Sequence, residues 1–535
     1  MKKVLTFLSC LLAWNGYAQP SFCTNNAARS WWDVQHYKID AGIDTASGYL
    51  QGEVLLEAGI TGPVGDSLQI DLQAPMKITA MEWQGVAPAV TLNWQQEGNA
   101  YYITDLGSIR DAKDFKLLIR FEGTPRIARM APWDGGLVLE RDNNGIRWIG
   151  MACQGDGASV WFPCKDFQGD EPDKGMQLTM RVPEGFTMVG NGKCLAEGVQ
   201  SGKGDAAWTW HVSNPINIYN ITFYIGDYVH WTDTLPGEKG NLPLDYYVLR
   251  SNLKKAKKQF EVVKPMLHCF EEKLGPYPFY EDGYKLVEAP YLGMEHQSAI
   301  AYGNKYQMGY LGKDRSRTKA GLDFDYIIIH ESGHEWFGNN ITTYDKADTW
   351  VHEGLTTYTE TIFEECLKGK KKAFKYQNGK RYIIRNDRPA QGALGQCDEG
   401  SGDHYEKSAA MVHMIRMIMD NDTQFYAMLR EMNARYYHKI VSSSEIETFM
   451  SAYSGKDLTK VFDQYLRQSN IPRLEIKRKA GGLQYRWTDC VEGFNMPVLL
   501  QLNGKKQWVY PLTNWQELQT KARKVAVDNN FLVRY

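Results

Sequence analysis

The chain has 535 residues and a formal net charge of −2, with 43% of its residues hydrophobic and 23% charged. That length exceeds a single hydrophobic core, so roughly two to four domains are expected, and the composition excludes a disordered or fibrous chain. Near-neutral charge removes any electrostatic case for nucleic acid or an anionic membrane surface, and the basic run Lys368-Gly369-Lys370-Lys371-Lys372 reads as a solvated helix end.

Residues 1–18 carry the pattern of a secretory signal peptide. Lys2 and Lys3 are followed by the apolar stretch Val4 to Trp14 and the small-residue site Gly16-Tyr17-Ala18. Cleavage after Ala18 is expected, which implies an exported protein, periplasmic or secreted. A lipid anchor at Cys10 is the weaker alternative, because only six residues separate it from Lys3. No later segment offers about 20 uninterrupted apolar residues, so no transmembrane anchor is expected. Eight cysteines follow the leader, from Cys23 to Cys490. Export permits disulfides among them, but scattered buried thiols are an equally good account.

From about Ser30 to His230 the text alternates in the β manner. Tyr37, Ile39, Ala41 and Ile43 share one face, as do Phe115, Leu117, Ile119 and Phe121, and Met176, Leu178, Met180 and Val182. An all-β domain over residues 19–230 is expected. The pattern changes at Asn252, where Lys254 to Leu274 reads as an amphipathic helix stopped by Gly275-Pro276-Tyr277-Pro278. A short strand around Tyr284 to Val287 and further helices to about Leu466 make residues 231–472 an α+β domain; the stripe Met411, Met414, Ile415, Ile418 is core packing. Alternation returns after Pro472, so residues 473–535 are read as a small β domain.

Within the second domain stands His330-Glu331-Ser332-Gly333-His334, with Glu353 after 18 intervening residues. On a helix, positions i and i+4 lie above one another, so His330 and His334 can face one metal ion. Tyr326-Ile327-Ile328-Ile329 ahead of the motif and Glu335-Trp336-Phe337 after it mark a buried helix, and Gly338 a natural stop. Glu353 supplies a third ligand from a second helical segment. Two His and one Glu leave a fourth zinc position open for water, the pattern of a hydrolytic site, with Glu331 placed to take a proton from that water. Gly333 is an oddity, since glycine inside a helix costs about 1 kcal/mol relative to alanine; close packing is the expected reason.

The set Gly293-Met294-Glu295, His334-Glu335-Trp336-Phe337-Gly338-Asn339, His352-Glu353-Gly354 and Tyr405-Glu406-Lys407 resembles the aminopeptidase N family of zinc metallopeptidases, gluzincins that include the leukotriene hydrolases. The resemblance runs from roughly Trp32 to Pro472. It implies a multidomain α+β fold with an N-terminal saddle-shaped β domain and a thermolysin-like catalytic domain; the family's large C-terminal helical domain has no room in the residues after Pro472. It implies one Zn²⁺ per chain on His330, His334 and Glu353, with Glu331 as general base. It further implies peptide substrates with a free N-terminus, whose α-amino group meets Glu295 beside Gly293 and Met294. Tyr405 matches the donor to the tetrahedral oxyanion, and Gln154 matches a residue lining the pocket for the first side chain.

Departures from the family pattern raise specific questions. His296 replaces the usual Asn after Glu295 and is either packed or protonated in competition with the substrate amine. His352 stands where Asn is usual and cannot readily join Glu353 on the metal, because successive helical residues point about 100° apart. Asp348 is read either as a residue orienting a ligand histidine or as a helix cap. Three other functions remain in view: an epoxide hydrolase of the leukotriene type using the same zinc, an endopeptidase, which Glu295 disfavours, and a non-catalytic peptide-binding scaffold, which the intact ligand set disfavours.

Overall fold

A computed structural model describes residues 24–85, 90–155 and 157–535. The expected leader, Cys10 and Cys23 lie outside the described residues. Among the described residues no helix is long and apolar enough to cross a membrane.

The alternating runs become strands of one eight-stranded sheet. Its centre is Trp32–Ile43, paired in parallel with Met176–Pro183 and antiparallel with Leu50–Ile60, which in turn pairs with Asp114–Gly123. Side chains of every second residue point to one face, and Tyr37, Ile39, Leu117, Ile119, Leu178 and Met180 are all fully buried there. A four-stranded sheet (Thr187–Gly190, Phe223–Gly226, Arg147–Ala152, Gly136–Arg141) and a three-stranded one complete the β region.

Sheet membership changes between Gly226 and Tyr228. The hairpin Tyr228–Gly237 with Gly240–Leu249 joins Tyr284–Glu288, Ile300–Tyr302 and the two-residue edge strand Gly293–Met294 in a five-stranded mixed sheet. The helix expected over Lys254 to Leu274 is broken once, by a 3-10 turn at Phe260–Val262 between Leu253–Gln259 and Val263–Leu274. Pro265 accounts for the break, because it has no N–H to give the Glu261 carbonyl four residues back.

The helices Tyr326–Gly333, Trp350–Lys368 and Glu406–Met419 form the interior of this second part. The strands after Pro472 form two three-stranded sheets. Leu474, Trp487, Val498 and Phe531 from this region share one continuous apolar core with Met411, Met414 and Ile415. Cys269 and Cys366 form a disulfide joining the helix Val263–Leu274 to the end of Trp350–Lys368. Cys397 is also disulfide-bonded, whereas Cys153 and Cys164 are buried free thiols, so both sequence accounts of the cysteines hold in part.

Gly333 has the packing role its cost demanded. A Cβ on it would collide with Thr359 Oγ1 and lie 3.2 Å from Thr356 Cγ2, on the helix that carries Glu353. Gly333→Ala should therefore gain about 1 kcal/mol of helix propensity and lose about 1–3 kcal/mol to overpacking. A thermal unfolding midpoint below wild type is the expected result; a raised midpoint would show that the two helices do not need this close approach.

Candidate active site

The helix Tyr326–Gly333 starts at Asp325, whose carboxylate accepts from the backbone N–H groups of Ile327 and Ile328 and from Tyr302, Asn304 and Gln259. Burial raises this carboxyl to about 6. So strong a cap fixes where the helix begins, and hence where His330 and His334 point. Gly338, at φ +119°, turns the chain away after the motif.

His330 Nε2 lies 3.4 Å and His334 Nε2 3.3 Å from Glu353 Oε2. The other ring nitrogens are already used. His330 Nδ1 donates to Glu360 Oε1 at 2.8 Å, and His334 Nδ1 donates to the Phe337 carbonyl at 2.9 Å. Those bonds set tautomers whose Nε2 lone pairs face a carboxylate oxygen. Glu353 Oε2 is buried and has no hydrogen-bond donor. Three electron-rich atoms gathered in a buried pocket fit a cation, and they could hold a single metal ion. The two carboxylates also favour positive charge on these rings, whether a proton or a metal supplies it. Burial alone would lower the His330 imidazole, yet Glu353 and Glu360 push it up to about 10. Burial alone would raise Glu353, yet His334 and His330 hold it well below the carboxylate range.

Glu360 is a functional residue the sequence reading missed. It lies two helical turns after Glu353, and its carboxylate also accepts from Tyr376 OH at 2.5 Å and Lys380 Nζ at 2.7 Å. Burial would raise its carboxyl, but Lys380 and His330 outweigh that and hold it at about 2. The seven-residue spacing from Glu353 was the available signal. Asp348 does not take that part. Its oxygens accept from Gln391 Nε2 at 2.7 Å and from the Ser443 backbone N–H at 2.8 Å. It therefore braces the start of the helix Ser443–Ser454 rather than a ligand histidine or its own helix, whose cap is Thr349.

Glu331 packs against the edge strand. A Cβ on Gly293 would lie 2.7 Å from Glu331 Oε1, so only glycine lets the carboxylate approach that backbone. Burial raises Glu331 to about 7, against the pull of His330 and His334 and with the push of Glu295. Glu295 sits in the same pocket: one carboxylate oxygen of Glu295, one of Glu331 and a nitrogen of His334 all lie within 4.8 Å of one another. It accepts from Tyr219 OH at 3.1 Å, and Asn339 Nδ2 donates to its backbone carbonyl at 2.8 Å. Met294 contributes backbone here, since its side chain is buried in the core of the β region.

Tyr405 precedes the helix Glu406–Met419, and its ring stacks on His330 with centroids 6.0 Å apart. Burial and the adjoining Glu353 carboxylate hold its phenol well above the usual range, so it stays protonated and able to donate. Two cavities meet at Glu295, Glu353 and Tyr405. The smaller is lined by Gln154, Asp166, Gln168, Tyr219 and Lys346; the larger by Gln154, Gly293, His330, Glu331 and His334.

The two departing histidines are both structural. His296 is fully buried, its Nδ1 lies 2.6 Å from Tyr224 OH, and burial lowers it to about 3. It is neutral and does not compete with a substrate amine, which removes one of the two readings above. His352 Nε2 accepts from the Thr343 backbone N–H at 2.9 Å and is likewise lowered to about 3 by burial.

Fold and donor set together define a two-histidine, one-glutamate metal site on a helical layer flanked by β sheets. Residues 258–465 match the family profile described as Peptidase family M1 domain. The chain is similar to aminopeptidase N of Escherichia coli, 24% identical over 54% of this chain and 34% of that protein. It is similar also to aminopeptidase N of Streptomyces lividans, 23% identical over 57% and 37%. The chain thus spans about a third of the length of the curated relatives it matches. Among solved structures, an M1 zinc metallopeptidase mutant from Deinococcus radiodurans bound to a Tyr-Ser-Ala substrate superposes with a TM-score of 0.69 at 18% identity, covering 84% of this chain and 97% of that one. Legionella pneumophila aminopeptidase A in complex with aspartic acid gives 0.72 at 14% identity, covering 94% and 58%. These likenesses establish the fold: a β region, an α+β part and C-terminal strands.

Glu360→Gln should weaken metal binding about 10–100-fold while Asp348→Asn leaves it unchanged. Competition with a chromophoric chelator measures both, and equal affinities for the Glu360 variant and wild type would remove Glu360 from the site.

Proposed function

We propose that this protein is a zinc-dependent aminopeptidase that removes the first residue from peptides with a free amino terminus. The observation that carries the reading is the buried Glu295 carboxylate within 4.8 Å of Glu331 and His334, where a substrate amine would lie beside the metal set. Zinc held by His330, His334 and Glu353 would supply a Lewis acid and an acidified water. Glu331 would serve as the proton carrier, accepting a proton from the attacking water and giving it to the departing amine, and an environment that raises its carboxyl suits both. Glu295 pairs with the α-ammonium, whose pKa is about 7.7–8.0 in peptides, and so fixes the chain end over the ligand set. Tyr405 donates to the oxygen that gains charge. The edge strand Gly293–Met294 offers backbone groups for an extended substrate to pair with.

Gln154 lines the cavity proposed for the first side chain, together with Asp166, Gln168 and Lys346. Export is the accompanying proposal. It rests on the leader pattern of residues 1–18, and the Cys269–Cys366 disulfide suits an oxidising compartment.

Two measurements test the proposal. Zinc-loaded wild type should cleave a free tripeptide and leave its N-acetylated form largely intact, and Glu295→Ala should keep zinc and lose most activity; rapid cleavage of the acetylated peptide would defeat the aminopeptidase reading. Tyr405→Phe should lower kcat about 10²–10³-fold with little change in KM. An unchanged kcat would assign the oxyanion donor elsewhere.

A further inference from the structure

Folding leaves one apolar group of the β region in water at the edge of the larger cavity. Ile127, Met130 and Trp133 occupy a single loop and are 45%, 65% and 53% exposed. Isolated exposed hydrophobics need no explanation, but three within seven positions single out this loop. Trp133 also lines the cavity that contains Glu331 and the three metal-binding residues.

The loop is held rigid by its own hydrogen bonds. The Asp134 carboxylate accepts from the backbone N–H groups of Arg129 at 2.7 Å and Met130 at 2.9 Å. Trp133 N–H donates to the Met130 carbonyl at 3.0 Å, and the Arg126 guanidinium donates to the carbonyls of Asp134 and Gly135. The loop also abuts the turn that carries Gln154: a Cβ on Gly155 would lie 3.4 Å from the Trp133 carbonyl oxygen. Lys346 Nζ donates to the Gly155 carbonyl at 2.6 Å, which ties that turn to the helical part. The backbone that carries Trp133 is thus tied in place at the rim.

The two cavities decide which end of a substrate it meets. The smaller one reaches Glu295 and Tyr219 but neither Gly293 nor Glu331, whereas the larger one contains Gly293, Glu331 and Trp133. With the amine on Glu295 and the first side chain in the smaller cavity, the remainder of the peptide must leave through the larger. We infer that Trp133 is a specificity-determining residue for the leaving peptide, packing on an apolar side chain just beyond the cleaved bond. This rests on the aminopeptidase reading above. A tryptophan has only two side-chain torsions to fix on binding, and it is among the residue types most often found to dominate such contacts.

The test compares kcat/KM for Ala-Phe-Ala and Ala-Gly-Ala. Wild type should favour the phenylalanine peptide, and Trp133→Ala should shrink that preference about threefold to tenfold, through KM, with Trp133→Phe keeping most of it. Zinc content and a circular dichroism spectrum equal to those of wild type show that the Trp133→Ala variant folds. No preference in wild type, or a preference that survives Trp133→Ala, would overturn the inference while leaving the aminopeptidase reading intact. Failure of zinc-loaded wild type to cut either peptide would defeat that reading, and this inference with it.

Discussion

Glu353 Oε2 lies within 3.4 Å of two imidazole nitrogens whose partner nitrogens already donate elsewhere, so three lone-pair-bearing atoms converge in a buried pocket. Such an arrangement is repulsive unless positive charge, a proton or a metal ion, sits among the atoms. Much of the surrounding structure serves to hold it. The helix Tyr326–Gly333 is started by Asp325 and drawn against Trp350–Lys368 by the missing side chain of Gly333. Gly354 lets the second helix approach the third, since a Cβ there would lie 2.5 Å from Ser408 Cβ. The Cys269–Cys366 disulfide ties down the far end of the same helix. Glu360, itself fixed by Tyr376 and Lys380, orients His330.

Chemistry is divided between the two parts of the chain along this pocket. The helical part supplies the metal ligands, Glu331 and Tyr405. The β region supplies Tyr219 against Glu295, Gln154 at the junction of the two cavities, and Trp133 at the rim. Cross-links between the parts are polar and buried. Asn220 Nδ2 donates to Asn339 Oδ1 at 2.6 Å, and Asn339 in turn holds the Glu295 backbone. Under the proposed function, a substrate amine meeting Glu295 would rest on both parts at once.

Local rules were enough to read some of this from sequence. Strand alternation placed Tyr37, Ile39, Leu117 and Leu178 in the core because a strand's side chains have a period of two, and i, i+4 spacing brought His330 and His334 together because a helix has a period near four. What stayed hidden depends on contacts between distant segments. In sequence Asp348 is a candidate to orient a ligand histidine and Glu360 goes unconsidered, and only the packing of helices separates them: one reaches Ser443, the other His330. His296 could be read as charged until its burial beside Tyr224 was known. The hairpin Tyr228–Leu249 alternates like the strands before it, yet pairs with a strand that follows a helical run. Exposure, which singles out Trp133, leaves no mark on sequence at all.

The cation requirement at Glu353 is the claim on which the rest depends. Anomalous scattering at the zinc absorption edge, measured on crystals of the purified protein, tests it most directly. One peak per chain is predicted, within bonding distance of His330 Nε2, His334 Nε2 and a Glu353 carboxylate oxygen, at about 2.0–2.2 Å. A fully active protein with no peak there, or with its metal held by other residues, would contradict it.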